Sequence, residues 1–185
     1  MSSIVVGITG ASGTVLGIRL LELLKGKAET HVIVSEAAKG IMEHETEYSL
    51  DDVKRLAGHV YDEKDMFAPV ASGSFRTDGM IVIPCSMKTL SNIANGFSDN
   101  LLVRAADVCL KERRRLVLVT RETPLSTIHI GNMLKVSQAG GVVLPPNLSY
   151  YSKPKTIKDL ENHVLGKALD LLGIDNDVYR RWGNV

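Results

Sequence analysis

The sequence has few cysteines, few aromatic residues and almost no net charge. Two of its 185 residues are cysteine, one is tryptophan, and aromatic side chains make up 5% of the chain. Cys85 and Cys109 form no Cys-x-x-Cys pair and no metal-ligand cluster, which argues against a disulfide framework or a zinc site and favours a reducing compartment. The 22 basic and 21 acidic residues leave a net charge of +1. Binding to nucleic acid or to an anionic membrane usually needs a larger positive excess.

Long apolar runs are absent as well. No apolar stretch approaches the roughly 18 residues that a membrane span requires, and residues 1–6 lack the basic region of a secretory signal. No repeat, low-complexity tract or linker divides the chain. With 44% hydrophobic residues, the chain can bury a core without disulfides or a structural metal. We therefore expect one domain over residues 1–185, located in the cytoplasm.

Short apolar runs alternate with helical patterns along the sequence. The helical patterns include residues 15–24 and an amphipathic segment at 157–172. Apolar strands separated by helices indicate a parallel sheet that is covered by helices on both faces. The predicted strands are residues 4–8, 30–34, 79–83, 116–119 and 141–144.

Polar residues follow four of these predicted strands. Ligands bind a parallel sheet at the carboxyl ends of its strands, so we expect the four groups to converge on one edge. The groups are Gly10-Ala11-Ser12-Gly13, then Ser35, then Cys85-Ser86-Met87-Lys88-Thr89, and finally Thr120-Arg121-Glu122.

The glycine turn after the first strand has two interpretations. Gly10, Gly13 and Gly17 could let a phosphate approach backbone N–H groups at a helix N-terminus, or they could form a tight turn in which Gly17 packs against the sheet. The spacing matches neither the dinucleotide GxGxxG motif nor a P-loop. Glu36 could bind a ribose, but it also suits the first turn of a helix.

The other strand ends are equally ambiguous on residue chemistry alone. Ser86 and Thr89 could donate to a phosphate or cap a helix, and Cys85 and Cys109 are best explained as buried hydrophobic residues rather than nucleophiles. Arg121 could bind a phosphate, with Glu122 beside it as an acid or base, or the two could form a loop ion pair. The basic run 111–115 is typical of a solvated helix end. Tyr150 and Tyr151 fit either a packed loop or the wall of a ligand site.

Taken together, several segments closely resemble the flavin prenyltransferase family, often called UbiX. The resemblance covers nearly the whole chain, and its central block is highly specific. The matching segments are TGASG at 9–13, VSEAAK around Ser35, ASGS at 71–74, the block 84–133, YYSKP at 150–154 and RWG at 181–183.

The resemblance implies a fold, a reaction and an assembly. The fold would be a three-layer Rossmann-like (flavodoxin-like) parallel sheet with helices on both faces. The enzyme would join the dimethylallyl group of dimethylallyl phosphate to N5 and C6 of reduced FMN, without a metal. The subunits would form a homododecamer, and the prenylated FMN would serve a UbiD-type decarboxylase.

The resemblance also assigns roles to individual residues. Ser12, Glu45 and Glu122 would be catalytic. FMN would be held by Gly10, Ala11, Ser12, Ser35, Ser86, Met87, Lys88, Thr89 and Arg121. Dimethylallyl phosphate would be bound by Lys111, Arg121, Glu122, Tyr151, Lys167 and Trp182, several of them from neighbouring subunits. At position 167 other members carry Arg, so Lys167 keeps the charge but loses the bidentate geometry.

Two alternatives remain open at this point. A flavin-dependent cysteine decarboxylase shares the fold, but such enzymes carry a PASAN-type stretch where this chain has 85–89 and a PxMNxxM clamp where it has 121–125. Both sequence differences favour the transferase. The second alternative is a non-catalytic FMN-binding or delivery protein, which would not need the basic residues and Glu122.

Overall fold

The computed structural model describes residues 1–183, so the last two residues of the expected domain lie outside the described part. Within that part the chain forms one parallel sheet of six strands, ordered β3-β2-β1-β4-β5-β6. The strands are β1 Ser2–Ile8, β2 Ala28–Val34, β3 His59–Tyr61, β4 Gly79–Cys85, β5 Arg115–Thr120 and β6 Val142–Val143.

The described residues form seven α-helices, of which six lie between strands and the last follows β6, together with a 3-10 turn at Pro69–Ala71. Side chains cap most of them: the Oγ atoms of Ser35, Ser86 and Ser126, for example, accept N–H groups from the first turn that follows. The helices are α1 Thr14–Leu24, α2 Glu36–Glu45, α3 Leu50–Leu56, α4 Met87–Asn95, α5 Leu101–Lys111, α6 Thr127–Gln138 and α7 Ile157–Leu172.

The sheet separates two apolar cores. Neighbouring residues of a strand point to opposite faces, so Ile4 and Val6 of β1 pack with α1, α2, α3 and α7. Val5 of β1 and Met80 of β4 pack with α4, α5 and α6 on the other face. The predicted three-layer parallel architecture is therefore confirmed.

The strands predicted at 4–8, 30–34 and 116–119 are present and extend one or two residues further, and three other differences remain. The strand predicted at 79–83 continues through Pro84 to Cys85, because a bulge between Val82 and Cys85 accommodates the proline. The short edge strand β3 was not predicted, because its three residues are His, Val and Tyr and none is buried. The last predicted strand shortens to Val142–Val143.

The order of the strands creates a crevice beside β1 and β4. From β1 the chain crosses to β2 on one side, whereas from β4 it crosses to β5 on the other side. The loops after β1 and β4 consequently run in opposite directions, and a ligand crevice forms between them. This is the edge at which the sequence places its polar groups. Across residues 1–183 no helix has both the length and the hydrophobicity to cross a membrane.

Candidate functional site

A cavity of about 650 Å³ opens at the carboxyl edge of the sheet. Its volume lies within the range of small-molecule and cofactor sites. The structure thus brings the ends of β1, β2, β4 and β5 together, as the sequence predicts. The lining includes each residue expected to bind FMN, namely Gly10, Ala11, Ser12, Ser35, Ser86, Met87, Lys88, Thr89 and Arg121, and also Glu122.

Two helices begin at this cavity with their capping residues in its wall. The Oγ atom of Ser35 accepts from Ala38 N at 3.2 Å, and that of Ser86 accepts from Thr89 N at 3.3 Å. Capping and ligand binding are thus not exclusive here, because both hydroxyls cap a helix and also line the cavity. The positive ends of the α2 and α4 dipoles favour an anion at this place.

Thr9 links the two loops that flank the crevice, a role that the sequence alone did not reveal. The residue is 1% exposed. Its hydroxyl donates to the Pro84 carbonyl at 2.8 Å and accepts from the Ser86 N–H at 2.8 Å. The end of β1 is thereby fastened to the end of β4, directly behind the cavity wall. Only its place between an apolar strand and a glycine turn could have drawn attention to this threonine.

Two glycines, one in the turn after β1 and one in α1, permit close contacts. A Cβ atom at position 10 would lie 2.5 Å from the Cβ of Ala37, so Gly10 lets the turn approach the first turn of α2. A Cβ atom at position 17 would lie 2.6 Å from the Ile83 carbonyl oxygen. Gly17 therefore packs against the sheet, as one of the two interpretations expected, while Gly10 shapes the cavity.

Glu45 lies at the end of α2 and faces the turn that contains Ser12. Its Oε2 atom accepts from the Gly13 N–H at 2.8 Å. Partial burial acts to raise the pKa of Glu45, but hydrogen bonds from the Ser12 side chain and from the Gly13 and Thr14 N–H groups, with the charge of Arg121, lower it overall. Glu45 is therefore a carboxylate near neutral pH, in contact with a cavity residue although it does not itself line the cavity.

Arg121 and Glu122 lie between two cavities. Both line the large cavity and also a second one of about 450 Å³, whose wall includes Thr120 and the segment 145–148. The Arg121 N–H donates to the Cys85 carbonyl at 3.1 Å, which joins the end of β5 to that of β4. Glu122 is exposed and accepts from the Thr123 N–H at 3.0 Å. A cation and a carboxylate are thus available to molecules in either cavity.

Two carboxylates lie near the N-terminus of α2, one within the helix and one from the segment after β3. Glu36 is the first helical residue and pairs with Lys39 at 2.8 Å, as expected for a first-turn acid. Glu63 accepts from the Glu36 N–H at 2.9 Å and also lines the cavity. Glu63 was not predicted, because it follows β3, and that strand has no recognisable apolar run.

Neither cysteine has the environment of a nucleophile. Cys85 and Cys109 are buried free thiols. Burial raises the pKa of the Cys85 thiol far above its usual value and raises that of Cys109 to about 12. Because a thiolate is the reactive form, both thiols are inert, as the sequence indicated. No group of three His, Cys, Asp or Glu side chains within residues 1–183 is arranged to hold a metal ion.

Lys111 lies far from the large cavity within one chain. It ends α5, whose first residue is on the cavity side, and an eleven-residue helix is about 16 Å long. Its ammonium group pairs with Glu112 next to Gly73. One chain therefore does not bring Lys111 to the cavity that Arg121 lines.

Tyr151, Lys167 and Trp182 lie together in the C-terminal part of the chain, away from that cavity. The ring of Tyr151 lies 5.2 Å from that of Trp182, centroid to centroid, and its hydroxyl is 3.1 Å from Nε2 of His163. Lys167 is exposed and lies one turn after His163 in α7. These residues form a second group, separate from the residues of the large cavity.

The chain resembles known proteins over almost its full length. A family model described as Flavoprotein matches residues 1–169. The flavin prenyltransferase UbiX of Methanocaldococcus jannaschii is 50% identical over 182 residues, which cover 98% of this chain and 99% of that protein.

Two solved structures are closely similar as well. A crystal structure of AnUbiX in complex with FMN and dimethylallyl pyrophosphate has a TM-score of 0.97 and 51% identity, covering 98% of this chain and 97% of that one. A dodecameric FMN-dependent Ubix-like decarboxylase from Escherichia coli O157:H7 has a TM-score of 0.95 and 50% identity, covering 97% and 98%.

Proposed function

The chain belongs to the flavin prenyltransferase (UbiX) family, and from that membership we propose that it joins a dimethylallyl group to N5 and C6 of reduced FMN. The donor is dimethylallyl phosphate, and inorganic phosphate leaves. The prenylated FMN passes to a UbiD-type decarboxylase. In this proposal the enzyme is a cytoplasmic transferase that consumes FMN as a substrate and releases prenylated FMN as the product.

The cavity that contains all nine expected FMN residues carries this proposal. It offers what FMN requires, because helix N-termini and hydroxyl groups suit the phosphate while Met87 and Ala11 supply apolar surface. At Gly10, which lies close to Ala37, the cavity wall is backbone without a side chain. Reduced FMN supplies the two nucleophilic atoms, N5 and C6.

The residues around Arg121 suit the departure of phosphate. Negative charge grows on the leaving oxygen, and a guanidinium stabilises such charge when it is fixed in place beforehand. The backbone of Arg121 is fixed by its N–H bond to the Cys85 carbonyl, the residue lines both cavities, and Glu122 next to it can give the phosphate a proton. The second cavity, which shares both residues, offers space for the phosphate and the prenyl chain.

Ser12 and Glu45 suit the removal of protons from the flavin. The lowered pKa of Glu45 keeps it ionised, so it can accept a proton but has none to give. Ser12 lies between Glu45 and the cavity and can relay that proton. The N5 proton balances the one that leaves with the phosphate. Closing the second bond needs a proton on the prenyl double bond, and the C6 proton lost afterwards replaces it. We therefore assign proton acceptance from the flavin to the Ser12–Glu45 pair and proton donation to the phosphate to Glu122.

A neighbouring subunit completes the site in this proposal. Lys111, Tyr151, Lys167 and Trp182 lie outside the cavity of their own chain, so we propose that they reach the cavity of another copy. The residues 1–185 act as one domain, and the assembly is a homododecamer; the related E. coli protein is dodecameric. Static light scattering should give a mass far above the 20.1 kDa of one chain.

Mass spectrometry of the flavin tests the reaction. The protein is incubated anaerobically with reduced FMN and either dimethylallyl phosphate or the diphosphate, and the extracted flavin is weighed. We expect FMN to gain one C5 prenyl unit, with faster conversion from the monophosphate. In a parallel incubation with oxidised FMN and a peptide ending in cysteine, release of carbon dioxide with reduction of the flavin would instead identify a decarboxylase. FMN binding with neither product would identify a delivery protein.

A further inference from the structure

Four aromatic rings form a continuous cluster beside α7, which we call the C-terminal ring cluster: Tyr151, His163, Tyr179 and Trp182. His163 lies at its centre, with edge-to-face contacts to Tyr151 at 5.6 Å and to Tyr179 at 5.3 Å. Its Nε2 atom is 3.1 Å from the hydroxyl of Tyr151. Among the contacts of residues 1–183, this hydrogen bond is the one that the side chain of Tyr151 makes.

The far side of the cluster is rigidly held. The Tyr179 hydroxyl donates to Asp170 at 2.7 Å, and Arg181 donates to both oxygens of the same carboxylate at 2.8 and 2.7 Å. The Tyr179 ring lies directly over Gly166, where any side chain would collide with it. The ring of His163 therefore packs between a fixed tyrosine and Tyr151.

The proposal concerns one tautomer of His163. Burial, together with the charge of Lys167, lowers the pKa of His163, so the imidazole is neutral near pH 7 and carries its proton on one ring nitrogen. With that proton on Nε2 the histidine donates to the Tyr151 oxygen, and the tyrosine's own proton then stays available for a ligand. Ring packing alone would hold the ring of Tyr151 but would not orient its hydroxyl.

We propose that His163 is a positioning residue that aims the Tyr151 hydroxyl at the phosphate of dimethylallyl phosphate. This inference rests on the proposed function, in which Tyr151 serves the site of a neighbouring copy. His163 does not touch the substrate. It acts by fixing the donor before the substrate arrives, so that the hydroxyl need not be ordered on binding.

Three variants of the full-length, FMN-loaded protein separate orientation from packing. His163→Phe keeps a ring against Tyr151 and Tyr179 but removes the polar contact. His163→Gln places an amide N–H near the former Nε2 position, and Tyr151→Phe removes the hydroxyl itself. Loading with oxidised FMN prevents turnover, so calorimetry can measure the dissociation constant of dimethylallyl phosphate directly.

We expect His163→Phe to weaken dimethylallyl phosphate binding about tenfold, the effect of one well-placed hydrogen bond. In the prenylation assay KM should rise by a similar factor while the affinity for FMN stays unchanged. His163→Gln should recover part of the loss. In the Tyr151→Phe background, His163→Phe should cost nothing more, because the hydroxyl that it orients is already gone.

The outcomes separate this proposal from the proposed function. If the parent neither binds dimethylallyl phosphate nor prenylates FMN, the function and the positioning role both fail. If the parent prenylates FMN and His163→Phe binds the substrate as tightly as the parent, only the positioning role fails. It also fails if His163→Phe costs as much with Tyr151→Phe as without it. Should His163→Phe not fold, His163→Leu, which also lacks a polar atom at this place, is compared with the parent in both backgrounds instead.

Discussion

At the scale of single residues, the hydroxyl of Thr9 holds the two sides of the crevice together. Thr9→Val keeps the shape of the side chain but leaves the partly buried Ser86 N–H without its acceptor. We expect the free energy of unfolding to fall by about 1–3 kcal/mol, the cost of one unsatisfied buried polar group, and FMN binding to weaken. Urea unfolding measures the loss. Thr9→Ser retains the hydroxyl and is the matched control; equal losses in the two variants would contradict the role of the hydrogen bonds.

Glu122 is the residue on which proton donation depends in the proposed reaction. Glu122→Gln keeps the size and hydrogen-bonding capacity of the side chain but removes the titratable proton. FMN should still bind, and prenyl transfer should slow by roughly 10² or more. Glu122→Asp should be milder. Single-turnover kinetics with flavin absorbance measure both, and transfer at the parent rate in Glu122→Gln would show that phosphate leaves without this proton.

What the sequence could predict depends on how local the information is. The strand, turn and helix from β1 to α1 could be predicted, because apolar periodicity and glycines are local signals. The partners of Thr9 and Glu63 could not be predicted, because each contact joins segments that only the folded sheet brings together. The residues expected to bind FMN came from resemblance, and their meeting in one cavity follows from parallel strands ending at one edge.

At the scale of elements, Asp170 ties the segment after α7 back onto that helix. The hydrogen bond from Arg181, assisted by those from Tyr179 and Asn176, lowers the pKa of Asp170 to about 2, from an ordinary value of 3.8. A lowered pKa means that the carboxylate stabilises the fold above pH 4. This contribution is lost as the pH falls through the folded value.

Asp170→Asn should therefore remove one source of acid sensitivity. At pH 7 we expect a loss of about 1–2 kcal/mol, reduced from the full shift because Arg181 is half exposed. Between pH 4 and pH 2 the melting temperature of the variant should fall less steeply than that of the parent. Asp175→Asn removes a charge from the same segment but keeps the hydrogen bonds to Asp170. Parallel melting curves for the parent and Asp170→Asn would refute the assigned pKa.

At the scale of the whole molecule, the positions of Lys111 and Glu122 predict that two inactive variants can restore each other. In the proposed shared site, Lys111→Ala removes a residue that a chain supplies to its neighbour, and Glu122→Gln removes the carboxyl group that a chain supplies to its own cavity. The two variants are co-expressed with different affinity tags, and assemblies that carry both tags are purified. Some sites in these mixed assemblies have both residues intact. Random mixing should recover roughly a quarter of the parent rate, if one neighbour supplies each Lys111. Mixed assemblies no more active than either variant alone would show that each chain completes its own site.

Trp182 gives this assembly a built-in optical signal. It is the single tryptophan of the sequence, it is 78% exposed in one chain, and it stands edge-on to Tyr151. If another copy covers it, its fluorescence must shift to shorter wavelength as water leaves the indole. A bound flavin nearby would then quench the same emission by energy transfer. Association of subunits and filling of the site could thus be followed separately in real time, in the unlabelled protein.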